Sequence, residues 1–292
     1  MSVPRICCVG ELMWDFHGES GSTLETAAVF SRVPGGAAAN VAMGLVETGV
    51  SAAVAGVVAD DAFGEGMRQA LAARGLDVSA VRAAKGRTGL VFIEEGGRGR
   101  YLSYRPGFSS TARLSLPRSW RRIPDGALLH VAALDPDWVD PATYSKLAQR
   151  VKKRHGRVTL DVNARPRAWR ARRGIPAAMR ALLRMADVVK ASTEDIAMLG
   201  VDDAGAEARR RLKIGGTLVI TAGPEPTTAF GPWGEVSVVP PKVRPKRTVG
   251  AGDAFCAGML GQLTFEEDLD AADVWTRCIA AGQLSASRWV RG

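Results

Sequence analysis

Short apolar runs and amphipathic stretches alternate along this chain, and the runs tend to end on glycine or acidic residues. Residues 5–10 (Arg-Ile-Cys-Cys-Val-Gly) predict a buried strand ending in glycine, with Glu11–Phe16 continuing it. Ser51–Val58 reads as a strand, and Asp61–Met67 opens a helix capped by Asp60 or Asp61. Further strands are predicted at Leu128–Leu134, Val158–Asn163, Asp187–Ser192 and Leu218–Gly223. Helices fall between them at Pro141–Arg154 and Thr193–Leu199. Two short strands, Thr228–Phe230 and Val236–Val239, precede a terminal helix over Asp270–Trp289. This alternation predicts an α/β fold on a mostly parallel sheet with helical crossovers. No linker or repeat divides residues 1–292, so one domain is expected. The rhythm breaks once, where Thr88–Ile93 and Arg100–Arg105 flank the turn Glu95–Gly99 as a hairpin. An open two-stranded ribbon is marginal alone, so the hairpin is a candidate lid or dimer surface.

Two glycine-rich turns interrupt this pattern. Thr248-Val249-Gly250-Ala251-Gly252-Asp253 runs straight into the apolar helical segment Ala254–Met259. Glycine lets the backbone approach a ligand closely. The first N–H groups of a helix lack internal partners and carry partial positive charge, so such a turn suits an oxyanion. Asp253 then reads in two ways. It is a helix cap, the plainer reading of this stretch by itself. Or it is a base that takes a proton from a bound hydroxyl while the turn stabilises a transferred phosphoryl group.

Near the N-terminus, Pro34-Gly35-Gly36-Ala37-Ala38-Ala39-Asn40 opens a tightly packing helix. Asn40 lies one turn in, where its amide would reach back to the glycines as donor and acceptor. Asp15, between Trp14 and Phe16, either suits sugar hydroxyls or is a surface residue on an alternating strand. Asp161, Asn163 and Arg165 end a strand, and open α/β sheets bind ligands at that end. Tyr104 and Arg105 close the hairpin and face either a substrate or a neighbouring strand.

Composition narrows the classes. The 292 residues are 46% hydrophobic and 24% charged, an ordinary globular balance. No apolar run is long enough to span a membrane, and Met1–Arg5 carries no signal-peptide pattern. Cys7, Cys8, Cys256 and Cys278 have no metal-ligand spacing, so buried thiols and a reducing cytoplasm are expected. The net charge of +9 raises nucleic acid as a partner. The arginines cluster at 165–173 and 209–211 with no aromatic platform beyond Trp169, so a solvated basic face is the better reading.

With these pieces placed, the chain resembles the ribokinase-like (PfkB) family of carbohydrate kinases over nearly its whole length. The resemblance rests on Gly35-Gly36-Ala37-Ala38-Ala39-Asn40 and Thr248-Val249-Gly250-Ala251-Gly252-Asp253-Ala254-Phe255. Asp61-Ala62-Phe63-Gly64 and Ala186-Asp187-Val188-Val189-Lys190 support it. It implies a three-layer α/β/α sandwich with a mostly parallel central sheet and a small β-sheet lid, here from about 11–34 and 87–110. It also implies transfer of the γ-phosphoryl group of ATP to a sugar hydroxyl with Mg²⁺, and a possible homodimer through the lid. Nucleic acid and membrane partners are not implied.

By position, the resemblance makes Asp253 the base and Gly250, Ala251 and Gly252 the anion hole. Asp15, Gly35, Gly36 and Asn40 would contact the sugar, joined by Tyr104, Arg105, Asp161, Asn163 and Arg165. Lys190, Ser192, Thr221 and Gly223, with Gly250 and Gly252, fall on the nucleotide and phosphate side. Asp195 would reach the metal through water. Phosphoryl transfer depends on positioning and charge stabilisation, which a helix N-terminus and Mg²⁺ supply.

Two branches are similar. Asp161-Val162-Asn163-Ala164-Arg165-Pro166 with Trp169, and Tyr104-Arg105, are shared by 2-keto-3-deoxygluconate kinases and fructokinases. Thr88-Gly89-Leu90 leans to the keto-deoxy acid branch, where Arg105 and Arg165 would hold a carboxylate. Val91 in place of a frequent tyrosine, and Ser192 with Asp195 in place of an Asn and Glu pair, lean to fructokinases. Three departures stand beside the match. Arg247 replaces the Asp that in many members helps hold a monovalent cation. Pro226 replaces a nucleotide-loop glycine, and the sequence stops at Gly292, earlier than most relatives. The alternative is a degenerate member that binds sugar or nucleotide without turnover.

Overall fold

Strands buried on both faces need near-continuous apolar sequence. β1 (Ile6–Gly10) and β4 (Ala52–Ala59) meet that need, with every residue buried, and they pair in parallel. The computed structural model describes residues 3–94, 101–104, 114–121, 124, 126–132, 141–164, 177–202 and 204–292. The other strands are β2 (Met13–Gly18), β3 (Phe30–Gly35), β5 (Asp77–Ala84), β6 (Gly89–Ile93), β7 (Tyr101–Tyr104) and β8 (Leu128–Ala132). They are followed by β9 (Arg157–Asp161), β10 (Val188–Ser192), β11 (Thr217–Ala222), β12 (Glu225–Gly231) and β13 (Gly234–Val238). The helices are α1 (Ala37–Glu47), α2 (Ala62–Ala73), α3 (Pro141–Lys152), α4 (Ala177–Met185), α5 (Thr193–Met198), α6 (Ala206–Arg211), α7 (Ala251–Leu263) and α8 (Ala272–Arg291).

Nine strands form one sheet in the order β13-β12-β11-β10-β9-β8-β1-β4-β5. It is parallel from β11 through β5, and β12 and β13 add antiparallel at one edge. Apolar side chains of α3 to α6 pack on one face. Those of α1, α2, α7 and α8 pack on the other. This is a three-layer α/β/α sandwich, as the family resemblance implied, on the mostly parallel sheet that the alternating pattern predicted. A second sheet, ordered β3-β2-β6-β7, is antiparallel except where β2 pairs β6.

Residues 6–16 are not one strand. β1 stops at Gly10, and after Glu11 and Leu12 the chain enters the second sheet as β2. No turn residue marks the change; a side chain at Gly10 would meet the Ala132 carbonyl at 2.4 Å, so the glycine serves close packing there. β3 lies in the expected lid segment without having been drawn as a strand, and β5 is additional to the predicted strands. Pro226 lies inside β12, beside a register shift of β11 between Ile220 and Ala222. At such an irregularity the missing N–H of proline costs the ladder little. The Glu95–Gly99 turn lies outside the described residues. Among the described residues no helix is long and apolar enough to cross a membrane.

Candidate active site

The N-termini of α1 and α7 meet where the carboxyl ends of β1, β9 and β10 open. Gly250 precedes α7 with φ 83°, a conformation glycine adopts freely. Asp253 is the third residue of α7 rather than its cap. Asn40 does not turn its side chain back to the glycines; its Nδ2 donates to Asp253 Oδ2 across 2.8 Å. Gly44 of α1 lets the two helices close up, since a Cβ there would lie 2.8 Å from the Ala257 methyl. At Gly36, φ is 92° and a Cβ would sit 2.2 Å from the Glu11 carbonyl oxygen. The glycine turn thus packs directly on the β1–β2 connection.

A cavity of about 320 Å³ lies between these helix ends and the small sheet. Alternation along the small sheet decides which side chains enter it. Met13 and Asp15 of β2, Val91 and Ile93 of β6, and Tyr101 and Ser103 of β7 line the cavity. Tyr104 falls on the other face, edge-on to Phe92 at 5.9 Å, so the structure brings Tyr101 to the cavity instead. Gly35 makes room for Asp15: a Cβ there would stand 2.1 Å from Asp15 Oδ2. Burial raises the Asp15 pKa to about 6, with His17 pulling it down and Asp253 pushing it up.

Glu11, which the sequence reading passed over, is buried and also lines the cavity. Its only signal was a carboxylate directly after the glycine that ends an apolar strand.

The floor is a buried ion pair. Lys190 Nζ lies 3.1 Å from Asp161 Oδ1 and 3.3 Å from Oδ2, and both side chains are nearly inaccessible. Burial alone would lower the lysine pKa; the Asp161 carboxylate outweighs it, so the net shift is upward and the ammonium stays charged. A Cβ on Gly252 would be 3.2 Å from Lys190 Nζ, which places that charge against the first turn of α7. Cys256 donates its thiol weakly to Asp161 at 3.5 Å, and burial pushes its pKa up.

Ser192, Thr221 and Gly223 sit together off the cavity: Ser192 and Thr221 are register partners on β10 and β11, and Gly223 follows β11. Asp195 shares a capping box with Ser192, its Oδ2 accepting Ser192 N–H at 2.8 Å. Its Oδ1 accepts Ala164 N–H at 2.7 Å, which ties the loop carrying Asn163 to α5. Asn163 and Asp161 do line the cavity. Arg105 and Arg165 lie outside the described residues. Among the described residues no three His, Cys, Asp or Glu side chains form a metal cluster. Arg247 donates Nε to the Trp289 carbonyl at 2.9 Å and stacks 3.9 Å from that indole's centre.

Two glycine turns, a carboxylate in the first turn of α7 and its partner amide on α1 thus converge on one cavity. Residues 3–288 match the profile of the pfkB family carbohydrate kinases. The chain belongs to this family. It is a sugar kinase, and its relatives include fructokinases. A fructokinase from Klebsiella pneumoniae is 32% identical over 237 residues, which cover 79% of this chain and 76% of that protein. Fructokinase from Xylella fastidiosa with bound ATP has the same fold, with a TM-score of 0.81 and 21% identity over 99% of this chain and 92% of its own. A double mutant of the Vibrio cholerae O395 fructokinase, in its fructose, ADP and potassium ion bound form, gives a TM-score of 0.80 and 22% identity over 100% and 93%.

Proposed function

We propose that this kinase transfers the γ-phosphoryl group of ATP to a hydroxyl of a neutral ketose, with fructose the first choice. The 2.8 Å bond from Asn40 to Asp253 carries this reading. It aims a carboxylate at the cavity from the first turn of the helix whose N–H groups would hold the phosphoryl oxygens. Asp253 takes the proton of the attacking hydroxyl, and Gly250, Ala251 and Gly252 stabilise the charge that develops on the transferred group. Lys190, kept charged by Asp161, adds a fixed positive charge at the same turn.

Among the described residues, the lining supports a neutral sugar over 2-keto-3-deoxygluconate. Glu11, Asp15 and Asp253 face the cavity beyond the Asp161–Lys190 pair, which already balances itself. Carboxylates accept from sugar hydroxyls but repel a substrate carboxylate. Gly36 lines the cavity that would take the sugar and Gly35 admits Asp15 to it, while the second sheet acts as a lid over it and as the surface for a homodimer. Ser192, Thr221 and Gly223 form the nucleotide side.

Mg²⁺, when bound, neutralises charge on the ATP phosphates. The donor set fits an ion carried by those phosphates: each Asp195 oxygen holds one backbone N–H and keeps a lone pair for a metal-bound water. Arg247 supplies a tethered positive charge on the Trp289 carbonyl, so turnover should not need K⁺. The test is ADP release from Mg·ATP with fructose, 2-keto-3-deoxygluconate, ribose, adenosine or no sugar, each with and without K⁺. Release on the keto-deoxy acid alone would overturn the neutral-sugar reading. Absence of sugar-dependent release throughout would favour a binding-only member of the family.

A further inference from the structure

The last carbonyls of a helix have no donors within it and form its negative end. At the end of α8 they are met by the segment just before the α7 turn. Lys246 N–H donates to the Val290 carbonyl at 2.7 Å, and Arg247 Nε to the Trp289 carbonyl at 2.9 Å. The guanidinium lies over the Trp289 ring, where the π-face attracts a cation. The contact then runs back: Trp289 Nε1 donates to the Val249 carbonyl at 2.7 Å.

That last bond bears on the anion turn. The Val249–Gly250 peptide is trans and planar, so its C=O and N–H point in opposite directions. Holding the Val249 oxygen on the indole turns the Gly250 N–H away from α8. The indole also lies against Gly250 itself, since a Cβ there would be 3.0 Å from its Cζ2 and Nε1. Arg247 fixes Trp289, and Trp289 fixes the peptide plane that begins the turn.

We propose that Arg247 and Trp289 are positioning residues for phosphoryl transfer: a clasp from the C-terminal end of α8 that sets the orientation of the Gly250 turn. The proposal rests on the reading of that turn as the phosphoryl site. Neither residue is in the buried core, so losing the clasp should disturb the turn more than the fold.

The experiment compares wild type with Arg247→Ala, Arg247→Lys and Trp289→Phe by two readouts. Trp289→Phe keeps an aromatic ring at the site but loses the N–H donor and the indole atoms nearest Gly250. In the first readout, hydrogen–deuterium exchange over residues 248–254 should speed by about tenfold in Arg247→Ala and Trp289→Phe, with the central strands unchanged. In the second, kcat should fall by roughly tenfold to a hundredfold while KM for the sugar stays put. Arg247→Lys should retain part of the activity, and millimolar guanidinium should restore part of the Arg247→Ala loss. Unchanged exchange in both clasp variants would overturn the proposal, as would kcat values equal to wild type. If wild type shows no sugar-dependent turnover, the kinase reading fails by itself, and the exchange measurement still decides the clasp.

Discussion

The side chain of Asn40 reaches Asp253 across 213 residues of sequence, with a 2.8 Å hydrogen bond that joins the first turns of α1 and α7. The bond holds one oxygen of the carboxylate and restrains the orientation of the group.

Asn40→Ala should therefore lower kcat by about tenfold, with a larger effect on kcat than on KM for ATP. Thermal denaturation should show a shift of only a few degrees, because Asn40 is not deeply buried. Steady-state kinetics with fructose checks it; unchanged kcat would remove Asn40 from the positioning role.

Asp15 couples function to stability. Burial raises its pKa from 3.8 to about 6, so between those values the folded state binds more protons than the unfolded chain. Its ionised form then costs stability at pH 7 and above, on the order of 2–3 kcal/mol. The cost disappears as pH falls through 6 toward 3.8. Asp15→Asn should raise the urea midpoint at pH 7.5, give little change near pH 4, and weaken sugar binding. A wild-type kcat/KM for sugar that falls as pH drops below about 6 would be the matching kinetic sign.

The buried pair of Lys190 and Asp161 should tolerate no half-removal. Lys190→Met leaves the Asp161 carboxylate buried without its partner and should cost about 3–5 kcal/mol in urea unfolding. Lys190→Met with Asp161→Leu should recover much of that stability, yet remain slow in catalysis because the charge beside Gly252 is gone. Recovery of activity along with stability would show that the lysine serves the fold alone.

Strand register makes a sharper test of the sugar cavity. Tyr101→Ala should raise KM for sugar by several-fold or more, and Tyr104→Ala should leave it near wild type, since only Tyr101 faces the cavity. KM values measured side by side decide it; the reverse order would invert the small sheet.

Much of the fold was legible because central strands such as Ile6–Gly10 and Ala52–Ala59 carry unbroken apolar sequence between glycine and acidic stops. Both glycine turns were visible too, since Gly36 and Gly250 hold φ values of 92° and 83° that glycine serves best. What stayed hidden depended on tertiary packing. Alternation puts Tyr101 and Tyr104 on opposite faces of the small sheet, but which face looks into the cavity is set by how that sheet packs over the helix ends. The partner of Asn40 lies on another helix. The switch of sheets at Glu11 and Leu12 has no turn chemistry, and Asp195, expected near a metal, holds backbone N–H groups that only the folded loop brings to it.

Asp253 is the proposed base of this sugar kinase. The most direct measurement is fructose-dependent ADP release by wild type and Asp253→Asn, with ATP binding followed by calorimetry. Asp253→Asn should lose about 10²–10⁴ in kcat with ATP affinity little changed. An Asp253→Asn enzyme that turns over within a few-fold of wild type would contradict it.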